Sequence, residues 1–222
     1  MTVPAVLIVE DEATLAGNMA RFLGRHGYDT RVADSAEAAL AELESFRDAE
    51  IEDLIGPDCR LLFVGINPGL WTAATGAHFA RPGNRFYPAL LRAGIIEHAI
   101  DPSAGMSDAD TQHLIDRGVG ITNLAVRATA RADELTSEEL ATGGVRVRNI
   151  VRATNPEGVA FAGITAYRTA FGDKKAKAGR QDRDFEGAKL WIVPNPSGLN
   201  AHETVDTLAA KYRSAASEAG IL

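Results

Sequence analysis

Two asparagines, each followed by proline, are the residues of this chain best placed to do chemistry. Asn67 lies in Gly65-Ile66-Asn67-Pro68-Gly69-Leu70, and Asn195 opens Asn195-Pro196-Ser197-Gly198-Leu199-Asn200. An amide is too weak a base to strip a proton from water, but it can hold a water in line for attack. That suffices when the bond being broken departs largely by itself and leaves a cationic sugar. Pro68 fixes its own φ and pushes Asn67 toward an extended conformation, while Gly69 permits a sharp turn or a close approach to a ligand. The plainer alternative is a strand-to-helix turn in which Asn67 caps a helix.

The first motif runs on through His78-Phe79-Ala80-Arg81-Pro82-Gly83-Asn84-Arg85-Phe86. Phe79 could stack on a planar ligand, a contact worth about 1–3 kcal/mol for a base on an aromatic ring, or it could pin the loop to the core. His78 reads as a loop-surface residue rather than a metal ligand, because no second His or Cys lies at ligand spacing. Asn84 reads as a helix cap, and Arg85 as a partner for phosphate or carboxylate. In the second motif Leu199 is a hydrophobic tip between Gly198 and Asn200. An exposed Leu on a stiffened loop can push into a base stack and fill the gap, with Gly198 and Asn200 offering groups to a neighbouring base edge. Alternatively, Leu199 folds back onto the core.

Both motifs follow apolar runs of strand length, Leu61-Leu62-Phe63-Val64 and Leu190-Trp191-Ile192-Val193. Open parallel sheets bind ligands at the carboxyl ends of their strands, so the spacing predicts one site assembled from both loops. Further strands are predicted over 119–124 and 158–163, beside 61–66 and 189–194. Helices are predicted over 84–94, 108–117, 136–154, 165–171 and 203–219. This alternation predicts an α/β fold over residues 61–222: three layers, α/β/α, around a central, mainly parallel four-stranded sheet. Ahead of it, residues 1–46 read as a βαβα segment. Its strands are Val6 to Val9 and Tyr28 to Ala33, and its helices Ala13 to Gly24 and Ser35 to Phe46, with Ser35 as a cap. The polar stretch 47–60, with Gly56-Pro57, reads as a linker.

The 222 residues carry a formal charge of −7, which looks wrong for a nucleic-acid partner until it is divided along the chain. Residues 1–50 hold ten Asp/Glu against four Arg, and the remainder is near neutral at twenty against nineteen. A local basic face is therefore available outside the first fifty residues. One run, Lys174-Lys175-Ala176-Lys177 with Arg180 and Arg183, reads as a loop patch that is either merely solvated or in contact with phosphate. Cys59 is the only cysteine, which excludes an intramolecular disulfide and a cysteine-based zinc cluster. No apolar run reaches membrane length, and Glu10, Asp11 and Glu12 interrupt any leader-like stretch. The expectations are a cytoplasmic monomer with no membrane partner, no metal and no cofactor.

Taken together, the two motifs closely resemble those of the mismatch-specific uracil-DNA glycosylases, the Mug/thymine-DNA glycosylase branch of the uracil-DNA glycosylase superfamily. The resemblance covers roughly residues 51–219 and rests on Gly65 to Leu70, His78 to Phe86 and Asn195 to Leu199. It implies a monofunctional hydrolase that removes uracil opposite guanine from double-stranded DNA by flipping the base out of the stack. On that likeness Asn67 would position the hydrolytic water. Gly65, Ile66, Pro68, Gly69 and Phe79 would form the base pocket, with Thr72 and Thr75 setting its dimensions and Asn84 and Asn195 contacting base or backbone. Leu199 would plug the vacated stack within the loop of Pro196, Ser197, Gly198 and Asn200, the last two reading the orphaned guanine. Two departures stand out. The water-activating Asp of the fast branch has no counterpart at Asn67, which implies slow turnover. Ala201-His202 also follows the second motif where bacterial members carry an Arg.

Residues 4–45 resemble instead the first half of a response-regulator receiver domain, including the acidic Glu10-Asp11 pair that helps such domains bind Mg²⁺. The next strand, Leu61 to Ile66, carries no Asp to phosphorylate, so a phosphorelay is not expected and the acidic pair reads as solvated. The competing functions are a receiver-like signalling module and a catalytically silent binder of mismatched DNA.

Overall fold

The computed structural model describes residues 5–222. Its centre is a five-stranded sheet in the order β4-β3-β5-β7-β6. The strands are β3 (Leu61–Gly65), β4 (Val119–Asn123), β5 (Gly158–Ala162), β6 (Gly179–Phe185) and β7 (Ala188–Val193). Strands β3, β4, β5 and β7 are mutually parallel, with Leu61 beside Val119 and Gly158, and Gly158 beside Lys189. Every residue of β3, β4 and β5 is buried, as expected where helices cover both faces.

The alternation of side chains across each strand sorts the core into two layers. Leu61, Phe63, Ile121, Ala160 and Trp191 face α4 (Phe86–Ala93), α5 (Asp108–Asp116) and α8 (Val205–Glu218). Leu62, Val64, Val159, Phe161 and Leu190 face α6 (Ser137–Thr154) and α7 (Ile164–Phe171). The sequence expectation of a mainly parallel α/β sheet between helical layers holds, but its count of four strands does not. Edge strand β6 is antiparallel to β7 and reads Arg180-Gln181-Asp182-Arg183-Asp184, with only Phe185 buried. A charged, half-solvated edge strand has no apolar alternation to betray it. Its signal was the turn: Glu186 and Gly187 both adopt positive φ, 51° and 93°, as a tight hairpin demands. The run placed in a loop from Lys174 to Arg183 therefore enters this strand at its carboxyl half.

The amino-terminal segment forms β1 (Ala5–Val9), α1 (Ala13–Arg25), β2 (Asp29–Ala33) and α2 (Ala36–Glu44). Ser35 caps α2 by accepting from the Ala38 amide at 3.1 Å. At α1 the cap is Glu12, which accepts from Thr14 and Leu15, while Glu10 accepts from the Glu12 amide. Strands β1 and β2 pair in parallel as a separate two-stranded sheet. Residues 47–60 do more than connect. Ala128 bonds two successive residues, its carbonyl accepting from Asp48 N and its N–H donating to the Ala49 carbonyl, and Leu54 pairs antiparallel with Ile121 along the outer edge of β4. Asp53 also bridges Arg146 of α6 and accepts from Thr122 at 2.6 Å.

Candidate active site

The carboxyl end of β3 breaks into a short turn before α3 (Leu70–Thr75), whose amino-terminal cap is Gly69. Asn67 does not cap that helix. Its amide nitrogen donates to Thr129 Oγ1 and to the Pro68 carbonyl, each at 2.7 Å. The Thr129 hydroxyl in turn donates to the Arg131 carbonyl at 2.7 Å, so toward Asn67 it can only accept. This relay fixes which way the amide faces. Oδ1 is left as the Asn67 atom with no partner among the described residues, free to accept a hydrogen bond from water.

Asn67 faces a cavity of about 130 Å³, lined also by Ile66, Gly69, Thr72, His78, Phe79, Arg81, Asn84, Asn123, Ala132, Ala162 and Asn195. A cavity near 150 Å³ accommodates one benzene ring, so the space fits a single six-membered ring. Its polar lining consists of four asparagine amides with Thr72, His78 and Arg81, and no carboxylate lines it among the described residues. A neutral planar ring with both donor and acceptor edges matches that lining. Two of the amides are committed through oxygen alone. Asn84 Oδ1 holds the Phe86 amide at 2.9 Å, and Asn195 Oδ1 holds the Ser197 amide at 3.0 Å. Each of these side chains therefore keeps its NH₂ to offer.

Asn123 is oriented from behind. His78 is buried, its Nε2 bonded to the Glu52 carbonyl at 3.0 Å and its Nδ1 3.4 Å from the Asn123 amide nitrogen. A carbonyl only accepts, so Nε2 carries the proton and Nδ1 accepts from Asn123. Burial pushes the His78 pKa down, outweighing the raising effect of the Glu52 bond, and keeps the ring neutral. Asn123 Oδ1 then lies over Gly65, where an added Cβ would come within 2.3 Å of it. Glycine is required at 65 by this close approach, although Gly65 itself does not line the cavity.

Phe79 adopts a left-handed conformation, φ 56°, a strain of order 1–3 kcal/mol for a non-glycine residue. Its surroundings over-determine it. Its ring stacks on Phe86 at 4.1 Å, and the preceding carbonyl, that of His78, accepts from Tyr87 Oη at 3.1 Å. The ring thus pins the loop to the core, and Phe79 also lines the cavity. Thr72 also lines the cavity, its hydroxyl unpartnered among the described residues.

The second loop leaves β7 and is braced on the first. Arg85 donates its backbone N–H to the Pro196 carbonyl at 2.9 Å, and its guanidinium reaches the carbonyls of Ser197, Gly198 and Asn200. The expectation that Arg85 meets phosphate or carboxylate is thus corrected: backbone acceptors occupy it. Gly198 packs so closely that a Cβ would lie 2.6 Å from the Gly83 carbonyl oxygen. Asn200 spends its amide within the loop, donating to the Asn195 carbonyl at 3.0 Å and accepting from His202 N. Leu199, at the tip, is 76% exposed and does not fold onto the core.

Of the residues singled out in the sequence, Ile66, Asn67, Gly69, Thr72, Phe79, Asn84 and Asn195 meet in one cavity. Pro68 and Thr75 lie outside it. Thr75 bonds the Trp71 carbonyl at 3.0 Å, near the end of α3. The surface placement of His78 is overturned by its burial beneath Asn123. Asn123 was missed, although it ends a predicted strand at the sheet edge that flagged the other two loops. Thr129 gave no signal, since its role depends on a partner 62 residues away.

A family model for the uracil DNA glycosylase superfamily matches residues 52–216. Among solved structures, the chain is similar to the solution NMR structure of a candidate uracil DNA glycosylase from Methanosarcina acetivorans. The TM-score is 0.50 at 13% identity, over 74% of this chain and 96% of that one. At that identity the likeness speaks for the fold alone.

Proposed function

The chain belongs to the uracil DNA glycosylase superfamily, and from that premise we propose that it hydrolyses the N-glycosidic bond of uracil opposite guanine in duplex DNA. The observation that carries the mechanism is the Asn67 amide, whose NH₂ is tied to Thr129 and whose Oδ1 is free beside a one-ring cavity. With no carboxylate in that cavity among the described residues, no strong base deprotonates water early. The C1′–N1 bond therefore breaks first, its electron pair leaving with the base. A water held by Asn67 Oδ1 then bonds through oxygen to C1′ and releases its proton, which neutralises the departed base anion. Amide N–H groups of Asn84, Asn123 and Asn195 can stabilise charge building on the base oxygens. Slow turnover follows from such weak activation of the water.

Substrate access requires the base to leave the stack, which costs least at a mismatch. Leu199 is the side chain suited to fill the vacated space, because it is exposed on a loop that Arg85 and Gly198 hold rigid. The test is single-turnover incubation with duplexes holding one G·U, A·U or G·T pair, followed by alkaline strand scission. Scission is expected at G·U first, and Asn67→Ala should slow it by at least about 10²-fold, the usual penalty for a misplaced reactant. Equal rates for parent and Asn67→Ala would overturn the mechanism. Tight G·U binding without scission would make the chain a silent mismatch binder.

A further inference from the structure

Of the chain's 23 Lys and Arg residues, only Arg25, Arg60, Arg81, Lys174, Lys175 and Lys177 have neither an ion pair nor a side-chain hydrogen bond among the described residues. Three of those six lie within four positions, and all three are exposed. Asp173, the carboxylate nearest in sequence, is engaged elsewhere: it bridges Arg183 and accepts from the Lys175 amide. The lysines are therefore left unneutralised in a chain of net charge −7.

The fold carries this segment to the rim of the active site. Gly179, two residues after Lys177, pairs with Ile192, three residues before Asn195. Because β6 runs antiparallel to β7, the loop 173–178 enters at the same carboxyl end of the sheet from which the Leu199 loop leaves. The backbone there is stapled on both sides. Arg168 donates two bonds to the Ala176 carbonyl, at 3.1 and 2.6 Å, and Ala176 is itself buried. Gln181 Nε2 holds the carbonyls of Lys177 and Gly179 at 2.7 and 2.8 Å. A loop fixed before its partner arrives loses little entropy on binding.

We propose that Lys174, Lys175 and Lys177 form a phosphate-binding rail, which grips the backbone of duplex DNA beside the site entered by the flipped base. This rests on the glycosylase reading above, since that reading supplies the duplex. Contacts of this kind carry no sequence information and set affinity through release of counterions. The rail therefore governs capture of DNA and not the cleavage step, which stays with Asn67.

Undamaged duplex is titrated across 50–200 mM salt with the parent, with K174A/K175A/K177A, and with Arg25→Ala as a control. Each phosphate contact contributes about −0.9 to the slope of log K against log salt. The triple variant should lose about 2.7 of that slope, so that its affinity drops about 40-fold less than the parent's over this range. Single-turnover scission of a G·U duplex at saturating enzyme should keep its parental rate. An unchanged slope in the triple variant, with the parent still cutting G·U, would overturn the rail alone. A slope lost equally, charge for charge, in Arg25→Ala would overturn it too, by assigning the effect to overall charge. A parent that neither binds nor cuts duplex would overturn the rail together with the glycosylase reading.

Discussion

In β3, β4 and β5 every residue is buried, whereas in β2 only Ala33 is. The two regions are written in the same alternation of strand and helix. The difference lies in what each strand has beside it. Residues 61–222 supply five strands and a helical layer on each face. Residues 5–46 supply two strands, and among their described side chains only Ile8, Ala16 and Ala33 are buried. On α1, Leu15, Met19 and Phe22 form one apolar stripe that stays exposed. So small a unit buries too little surface to stand unaided. It meets the rest of the chain through α2 packed against α3, and just beyond it Arg47 pairs with Glu134. Local pattern is enough to form elements, and neighbours decide whether they have a core.

The sharpest way to break this contrast is to truncate a large aromatic in each region. Phe63 is fully buried against Phe86 and Tyr212, and Phe63→Ala should cost about 3–5 kcal/mol. Phe22 is 61% exposed, and Phe22→Ala should stay within about 0.5 kcal/mol. Both tryptophans, Trp71 and Trp191, lie in the larger region, so denaturant unfolding followed by their fluorescence reads Phe63→Ala, while amide exchange across α1 reads Phe22→Ala. A large cost at Phe22 would mean that the stripe on α1 is covered in solution.

A finer test makes one substitution at two mid-helix glycines. At Gly143 of α6 a Cβ would lie 2.0 Å from the Leu124 carbonyl oxygen, while at Gly17 of α1 nothing lies within 4 Å. Gly143→Ala should therefore destabilise, by the roughly 1–3 kcal/mol typical of overpacking. Gly17→Ala should stabilise α1 by about 0.5–1 kcal/mol through helix propensity. The readout is denaturant unfolding for the first and amide exchange across α1 for the second. The same sign at both sites would contradict the difference in packing.

How far the sequence reveals each region follows from this same contrast. Strands buried on both faces announce themselves as apolar runs, and the sequence alone pairs the two Asn-Pro loops at their ends. Ser35 was legible as a cap because capping is local. Strand β6 was not, because its one-sided burial leaves a polar string. The partners of Asn67 and Asn123 were hidden for a different reason. Thr129 and His78 act through contacts 62 and 45 residues distant in sequence, and no local rule reports them. Arg85 illustrates the reverse error. Its residue type suggested an anion, but three backbone carbonyls had already claimed it.

His78 lies where the two regions are joined, and its proton is a probe of that seam. Its Nε2–H is given to Glu52, in the segment that follows the smaller region, and its Nδ1 accepts from Asn123 in the cavity wall. Burial lowers its pKa in the folded chain, so as pH falls through about 6.5, the ordinary histidine value, the unfolded chain takes up a proton that the folded chain refuses. Stability is then whole above that pH and declines below it, by at most about 1.4 kcal/mol per pH unit for one proton, until the folded value is reached. Protonation would also convert Nδ1 from acceptor to donor, turning it against the Asn123 amide. His78→Gln, which cannot titrate, should flatten the difference in unfolding free energy between pH 7 and pH 5 at some cost in stability at pH 7. If parent and variant lost stability in parallel on acidification, His78 would be accessible to solvent and the seam open. Asn123 would then lack its fixed orientation, and the cavity its one amide aligned from behind.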